Sequence, residues 1–261
     1  MRRALAMFVE DAPHLIANSQ WLYESWKYIR CDDTELVFMG TEEALRRLPG
    51  DVVKIVQRPA ADDPDWLNYR FANSLACLNG EGASVLNDYD KVLKTDLDVF
   101  LTPAWNHFYP SEFTAGTGRY SHDECVRDNV RRIANKFGLQ HRGLVNIGST
   151  FYGPAQLVRE VCELATELCK YIRTVEFKDD VGRWPSWFAG VSSMYATEIA
   201  VNHLVPAFTT PSETLDHGSH SAERSTTIPI SIATSIATCS LRAAAMRAIT
   251  TTWTPRIWTS T

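Results

Sequence analysis

Apolar residues recur along this chain with two different periods, and the switching between them predicts the order of elements. Residues 4–10 are a short apolar run that closes on the acidic pair Glu10-Asp11 and reads as a first parallel strand. Residues 14–30 then place Leu15, Ser19, Leu22, Trp26 and Ile29 at three-and-four spacing, which predicts an amphipathic helix with Trp21, Tyr23 and Trp26 as packing residues. Residues 35–39 and 51–57 are further strands, separated by a short helix through Leu48 capped at Thr41-Glu42-Glu43. This strand–helix alternation is the βαβ rhythm of a parallel sheet. After an acidic, proline-bounded loop at 59–65, a helix is expected over 66–78. Residues 113–120 read as an edge strand or hairpin. Later helices are expected over 122–137, with Ser121 and Glu124 as capping box and Gly138 as stop, over 154–172 and over 195–204.

The stretch from 89 to 106, YDKVLKTDLDVFLTPAWN, carries the chemistry. Val92 and Leu93 enter the sheet, and Asp96 and Asp98 bracket Leu97 at the carboxyl end of the strand. Residues two apart face the same side of a strand, so both carboxylates point into the crevice where open α/β sheets bind ligands. Two hard oxygen donors on one face suit Mg²⁺ or Mn²⁺ shared with a phosphate-bearing substrate. Thr102-Pro103 then reads as the start of a short helix. No glycine-rich loop follows the first strand, which excludes the P-loop and dinucleotide-binding fingerprints.

Composition narrows the class further. A chain of 261 residues with a net charge of −5 is long enough for one α/β domain and is not basic enough for nonspecific nucleic-acid binding. Its six cysteines lack CxxC spacing, which favours a reducing compartment. Residues 1–9 hold an apolar run too short for a signal-peptide core, and no run approaches a membrane span, so either a cytoplasmic or virus-encoded protein acting in the cytoplasm, or a fragment of a longer chain, is expected. His107, His122 and His141 read as surface residues. From Ser225 onward none of the last 37 residues is acidic and 15 are Ser or Thr, which predicts little fixed structure, either as a disordered tail or as sequence outside the ancestral frame.

The apolar strand ending in DxD resembles that of nucleotide-sugar glycosyltransferases of the GT-A fold, and the order of the later motifs is similar to the glycogenin-like branch. The resemblance implies a GT-A-like, Rossmann-like, mostly parallel sheet flanked by helices in a single domain over 1–224, followed by the 225–261 tail. It implies a divalent cation at Asp96 and Asp98, with His217 or His220 as third ligand. Glu10 and Asp11 would lie beside the nucleotide base, and Arg70, in NYRFANSLACL, would approach the diphosphate of a UDP- or GDP-sugar. Asn146 and Gly148, in LVNIGSTFYG, match the family's N-x-G strand near the sugar or acceptor. YATEIAVNHL resembles the acceptor-side helix, with Glu198 where the family tends to have glutamine and Asn202 on its asparagine.

The implied activity is sugar transfer to the hydroxyl of a glycan or other acceptor. Glu198 is expected to face the cleft as base or charge stabiliser, with Asp180 competing for that role. Thr197 and Ile199 depart from family aspartates, and the usual glycine- and lysine-containing sequel after the C-terminal histidine is missing. Two rivals are a haloacid-dehalogenase-type phosphatase using Asp96 and Asp98, and an inactive transferase-like binding protein. Against the phosphatase stand Phe100, where its motif needs Thr or Val, and the three strands before the motif.

Overall fold

A computed structural model describes residues 1–121, 123–209, 215, 217–218 and 230–232. The elements run β1 (Arg3–Val9), α1 (Pro13–Ile29), β2 (Thr34–Gly40), α2 (Glu42–Arg46), β3 (Val53–Val56), α3 (Asn73–Ala76), β4 (Lys91–Lys94) and β5 (Val99–Leu101). They continue with β6 (Phe113–Thr117), α4 (Glu124–Lys136), β7 (Ile147–Pro154), α5 (Ala155–Tyr171), α6 (Ser192–Leu204), β8 (Phe208–Thr209), β9 (His217–Gly218) and β10 (Ile230–Ile232). Seven strands form one sheet in the order β3-β2-β1-β4-β7-β6-β8. The first four are mutually parallel, β7 is antiparallel to both of its neighbours, and β8 is parallel to β6. This is a mixed α/β sheet, parallel over four of its strands. A second, small sheet joins β5, β10 and β9.

Strands β1 and β2 are apolar at nearly every position because helices cover both faces of the sheet. Their period of two sorts the core into halves. Ala4, Ala6, Phe8, Val37, Met39 and Val92 pack with α4, α5 and α6, whereas Leu5, Met7, Val9, Leu36, Phe38 and Leu93 pack with α1 and α2. Among the described residues no helix is long and apolar enough to cross a membrane.

Two local expectations are corrected. The helix expected over 66–78 is instead a series of short 3₁₀ turns ending in the single turn α3, because Leu67 and Asn68 take left-handed backbone angles (φ 51° and 57°) that no right-handed helix accommodates. Helix α4 is capped by the carboxylate of Asp123, which accepts the Val126 amide at 2.9 Å, and not by Ser121. Gly138 stops that helix as expected, with φ 66°. Ile230–Ile232, within the stretch expected to carry little fixed structure, is a strand paired antiparallel with β5.

At the end of the sheet opposite the candidate site, Arg3 is wholly buried. Its guanidinium donates to Asp33 at 2.7 and 3.0 Å and to the carbonyls of Trp105 and Phe108 at 3.1 and 3.0 Å, and it lies over the Trp105 and Tyr109 rings. This ties the segment after β5 to the first strand. Burial opposes ionisation of Asp33, but hydrogen bonds from Arg3, Cys31 and Thr34 outweigh it and hold the carboxyl at about 2. Its folded value lies below its unfolded value. The contribution is therefore complete above the unfolded value near ~4 and is lost as pH falls through 2. Asp33→Asn is expected to lower unfolding free energy by about 2–4 kcal/mol at neutral pH. The gap from wild type should close between about pH 4 and 2, which urea unfolding at stepped pH measures.

Candidate active site

The parallel strands β1 to β4 deliver their carboxyl ends to one rim, and antiparallel β7 starts there. Strand β4 ends at Lys94, and the last bond to its neighbour is from the Thr95 amide to the Ala6 carbonyl. Asp96, Leu97 and Asp98 thus lie in the bend between β4 and β5, one step beyond the strand in which they were expected. The predicted alternation holds: Leu97 is 6% exposed, the Asp96 side chain is 42% exposed and Asp98 is partly exposed.

Lys94 is buried beneath this pair. Its ammonium donates to the Ser149 carbonyl at 2.8 Å and lies 3.4 Å from Asp96 Oδ1. A buried cation needs a partner, and Asp96 supplies the charge while β7 supplies a dipole. Among the described residues no three His, Cys, Asp or Glu side chains converge as a metal site.

Beside β1, Glu10 accepts from Asn73 Nδ2 at 2.7 Å and pairs with Arg70 at 3.2 Å. Arg70 also pairs with Asp62 at 3.1 Å, and Asp11 pairs with Arg47 at 2.7 Å. The irregular backbone of 66–73 is what brings Arg70 and Asn73 to Glu10. A cavity of about 390 Å³ opens between Phe8, Gln57, Arg58, Asn73 and Glu81.

Glu198 is not in the cleft where it was expected. It is fully buried, and three donors hold its carboxylate: the Tyr120 hydroxyl (2.8 Å), the Asn146 amide (2.7 Å) and His141 Nε2 (3.3 Å). The Gly143 amide donates to His141 Nδ1 at 3.1 Å, so the ring proton sits on Nε2 and the imidazole donates to Glu198. Burial first, then the Glu198 charge, push the Tyr120 hydroxyl well above its ordinary value, which keeps it a donor. The reading of His141 as a surface residue is corrected: its side chain is 3% exposed.

Asn146 takes a left-handed conformation (φ 60°), and its Oδ1 accepts the amides of Tyr120 and Ser121 at 3.1 and 2.8 Å. That oxygen is committed to backbone. Asn202 likewise accepts the amides of Arg142 and Leu144 and donates to the Leu144 carbonyl, pinning the loop before β7 to α6. Gly148 is buried in β7, and Asp180 is exposed in the loop after α5 with Oδ1 accepting the Gly182 amide at 3.0 Å. His217 lies on β9, described by its backbone; His220 and His122 lie outside the described residues, as does most of 225–261.

Lys94, Tyr120 and His141 are the site residues that sequence reasoning passed over. A lysine inside the apolar run VLK, immediately before two aspartates, is the one available signal. Tyr120 and His141 lie 78 and 57 residues from Glu198 and carry no local signature.

Glu198→Gln keeps the shape but offers one acceptor oxygen and one donor group to three converging donors. It is expected to cost about 1–3 kcal/mol, the penalty of an unsatisfied buried polar group, read as a lowered thermal midpoint.

A search of curated proteins finds no match. Among solved structures, the galactosyltransferase LgtC, determined in complex with donor and acceptor sugar analogues, matches with 14% identity and a TM-score of 0.51 over 98% of each chain. That likeness is one of fold. A family model described as a domain of unknown function, DUF7164, matches residues 52–232, more than half of the chain, and the chain belongs to that family.

Proposed function

We propose that this chain is a divalent-metal-dependent glycosyltransferase that moves a sugar from a UDP- or GDP-sugar to an acceptor hydroxyl. The observation that carries the reading is the shared exposure of Asp96 and Asp98 on either side of buried Leu97, at the ligand-binding rim of a GT-A-type sheet.

The donor set fits Mn²⁺ or Mg²⁺. Two carboxylates are hard ligands, and such cations complete their coordination with water and substrate phosphate instead of an all-protein cage. The backbone register adds a third candidate. Ser231 of β10 pairs with Phe100 on one side and His217 on the other, so His217 lies two strands from a residue two positions after Asp98. The resemblance implies His217 or His220 as the third ligand, and His217 is the one proposed. When bound, the cation would offset negative charge developing on the departing diphosphate.

Other roles belong to side chains around the rim. Glu10 and Asp11 border the nucleoside end, next to the cavity that Asn73 also lines. Arg70, half exposed between Glu10 and Asp62, exchanges carboxylate oxygens for diphosphate oxygens when the donor enters. Gly148 leaves the β7 backbone without a side chain beside the sugar. Of the two carboxylates considered for the acceptor hydroxyl, Asp180 is exposed and Glu198 is enclosed. Proton acceptance therefore falls to Asp180, and Glu198 acts as a positioning residue that orients Asn146.

Calorimetry with UDP and GDP in the presence and absence of Mn²⁺ tests the metal site. Asp96→Asn and Asp98→Ala are expected to abolish the Mn²⁺-dependent part of binding; the thermal midpoint holds in Asp98→Ala, whereas Asp96→Asn also lowers it by removing the charge opposite buried Lys94. Unchanged affinity in Asp98→Ala would sink the assignment. Arg70→Ala should weaken UDP binding by about 1.5–3 kcal/mol more than uridine binding; equal losses would make it a surface charge. Hydrolysis of UDP- and GDP-sugars with Mn²⁺, set against cleavage of p-nitrophenyl phosphate with Mg²⁺, separates the transferase from the phosphatase. Donor binding without turnover would indicate the inactive binding protein.

A further inference from the structure

The cavity beside β1 has apolar walls and two charged residues of opposite sign. It opens between the carboxyl ends of β1 and β3, and Phe8, Val56, Ala60 and Ala76 form its apolar lining. Val56 is exposed although apolar, a surface that a flat ring entering the cavity would cover. Strand β2 separates β1 from β3, so at the ordinary interstrand spacing the cavity is centred about 10 Å from β4 and the aspartates beyond it. A nucleoside diphosphate spans that distance.

The amide side chains of the lining are committed to the protein itself. Gln57 Nε2 donates to the carbonyls of Cys77 and Glu81 at 3.0 and 2.8 Å. Asn73 Nδ2 donates to Glu10, and its Oδ1 accepts the Ala61 amide at 2.9 Å. Gly80 lets the chain close on Gln57, since a Cβ there would lie 2.9 Å from Gln57 Oε1. The charged residues of the lining are Arg58 and Glu81, both exposed. Arg58 donates to the Asp62 carbonyl at 3.5 Å, a long contact that engages one of its five donors.

This combination selects a ligand class. A guanidinium donates two parallel hydrogen bonds and is matched by two adjacent acceptors, whereas a carboxylate accepts two and is matched by two adjacent donors. Guanine carries both pairs, O6 with N7 on one edge and N1–H with the N2 amine on the next. Uracil alternates acceptor, donor and acceptor along its edge and offers neither pair. Its carbonyls would also face the carboxylate, which is a repulsive contact. Adenine and cytosine each present a single exocyclic amine beside a ring acceptor, so they match the carboxylate at one point only.

We propose that this cavity selects guanine, with Arg58 donating to O6 and N7 and Glu81 accepting from N1–H and the N2 amine, so that the sugar donor is a GDP-sugar. The inference rests on the transferase reading and deepens it by naming the nucleotide.

Calorimetry on the full chain with GDP, IDP, 7-deaza-GDP and UDP, each in the presence of Mn²⁺, tests it. GDP is expected to bind about tenfold tighter than UDP, or more. IDP lacks the N2 amine and 7-deaza-GDP lacks N7, and each should fall several-fold below GDP on the wild-type protein, a comparison that needs no variant. Glu81→Gln should abolish the difference between GDP and IDP, and Arg58→Ala the difference between GDP and 7-deaza-GDP. UDP binding as tightly as GDP, or both differences surviving in the two variants, overturns the proposal. Titration of guanosine without metal keeps the two readings apart. Mn²⁺-dependent binding of UDP with no preference for GDP removes the guanine assignment alone. Guanosine binding that Glu81→Gln weakens, with no gain for GDP from Mn²⁺, supports the guanine site and removes the metal-dependent transferase. Binding of no nucleotide overturns both.

Discussion

The pairing of β4 with two neighbours of opposite direction is the constraint on which the rest depends. Parallel to β1 and antiparallel to β7, it brings the end of one strand and the beginning of another to the same edge. Lys94 sits opposite Phe151, Ser149 reaches its ammonium, and the hydroxyls of Thr95 and Thr150 meet across the strands at 3.3 Å. The register leaves little choice. A slip of one residue would turn Asp96 and Asp98 into the core and Leu97 into solvent, exchanging one buried side chain for two buried charges.

Charge at this rim is arranged in compensated groups. Lys94 is satisfied from below by a carbonyl and from above by Asp96, whereas Arg70 is shared between Glu10 and Asp62 at half exposure. The first is fixed by burial. The second is open to exchange, since an exposed ion pair is worth only about 0–1 kcal/mol. Glu198 follows the logic of Lys94: a buried carboxylate persists because three donors from two separate segments surround it. Such a network sets the shape of the loop entering β7, and with it the left-handed turn at Asn146.

The stacked rings of Phe177, Trp187 and Tyr195 and the Arg3 cluster play matching parts at opposite ends of the sheet. Each uses large flat side chains to hold an irregular segment against regular structure. At Arg3 the rings also stabilise a buried cation, and at Tyr195 they carry a hairpin that secondary structure alone would leave unsupported.

The sequence by itself determined the order of strands and most helices along the chain, because apolar runs, three-and-four spacing and helix-stop residues are local signals. It also placed Asp96 and Asp98 on one side, and Gly138 at a helix end, for the same reason. The tertiary structure alone decided which polar residues turn inward. Residues 66–78 have helical spacing, yet Trp66 and Tyr69 pack into the core and the backbone yields at Leu67 and Asn68. Glu198 lies on a helix buried along most of its length, where spacing does not distinguish a carboxylate facing a cleft from one facing three donors. Its partners are more than 50 residues away, and hydrogen bonds over that distance leave no periodic trace in the chain.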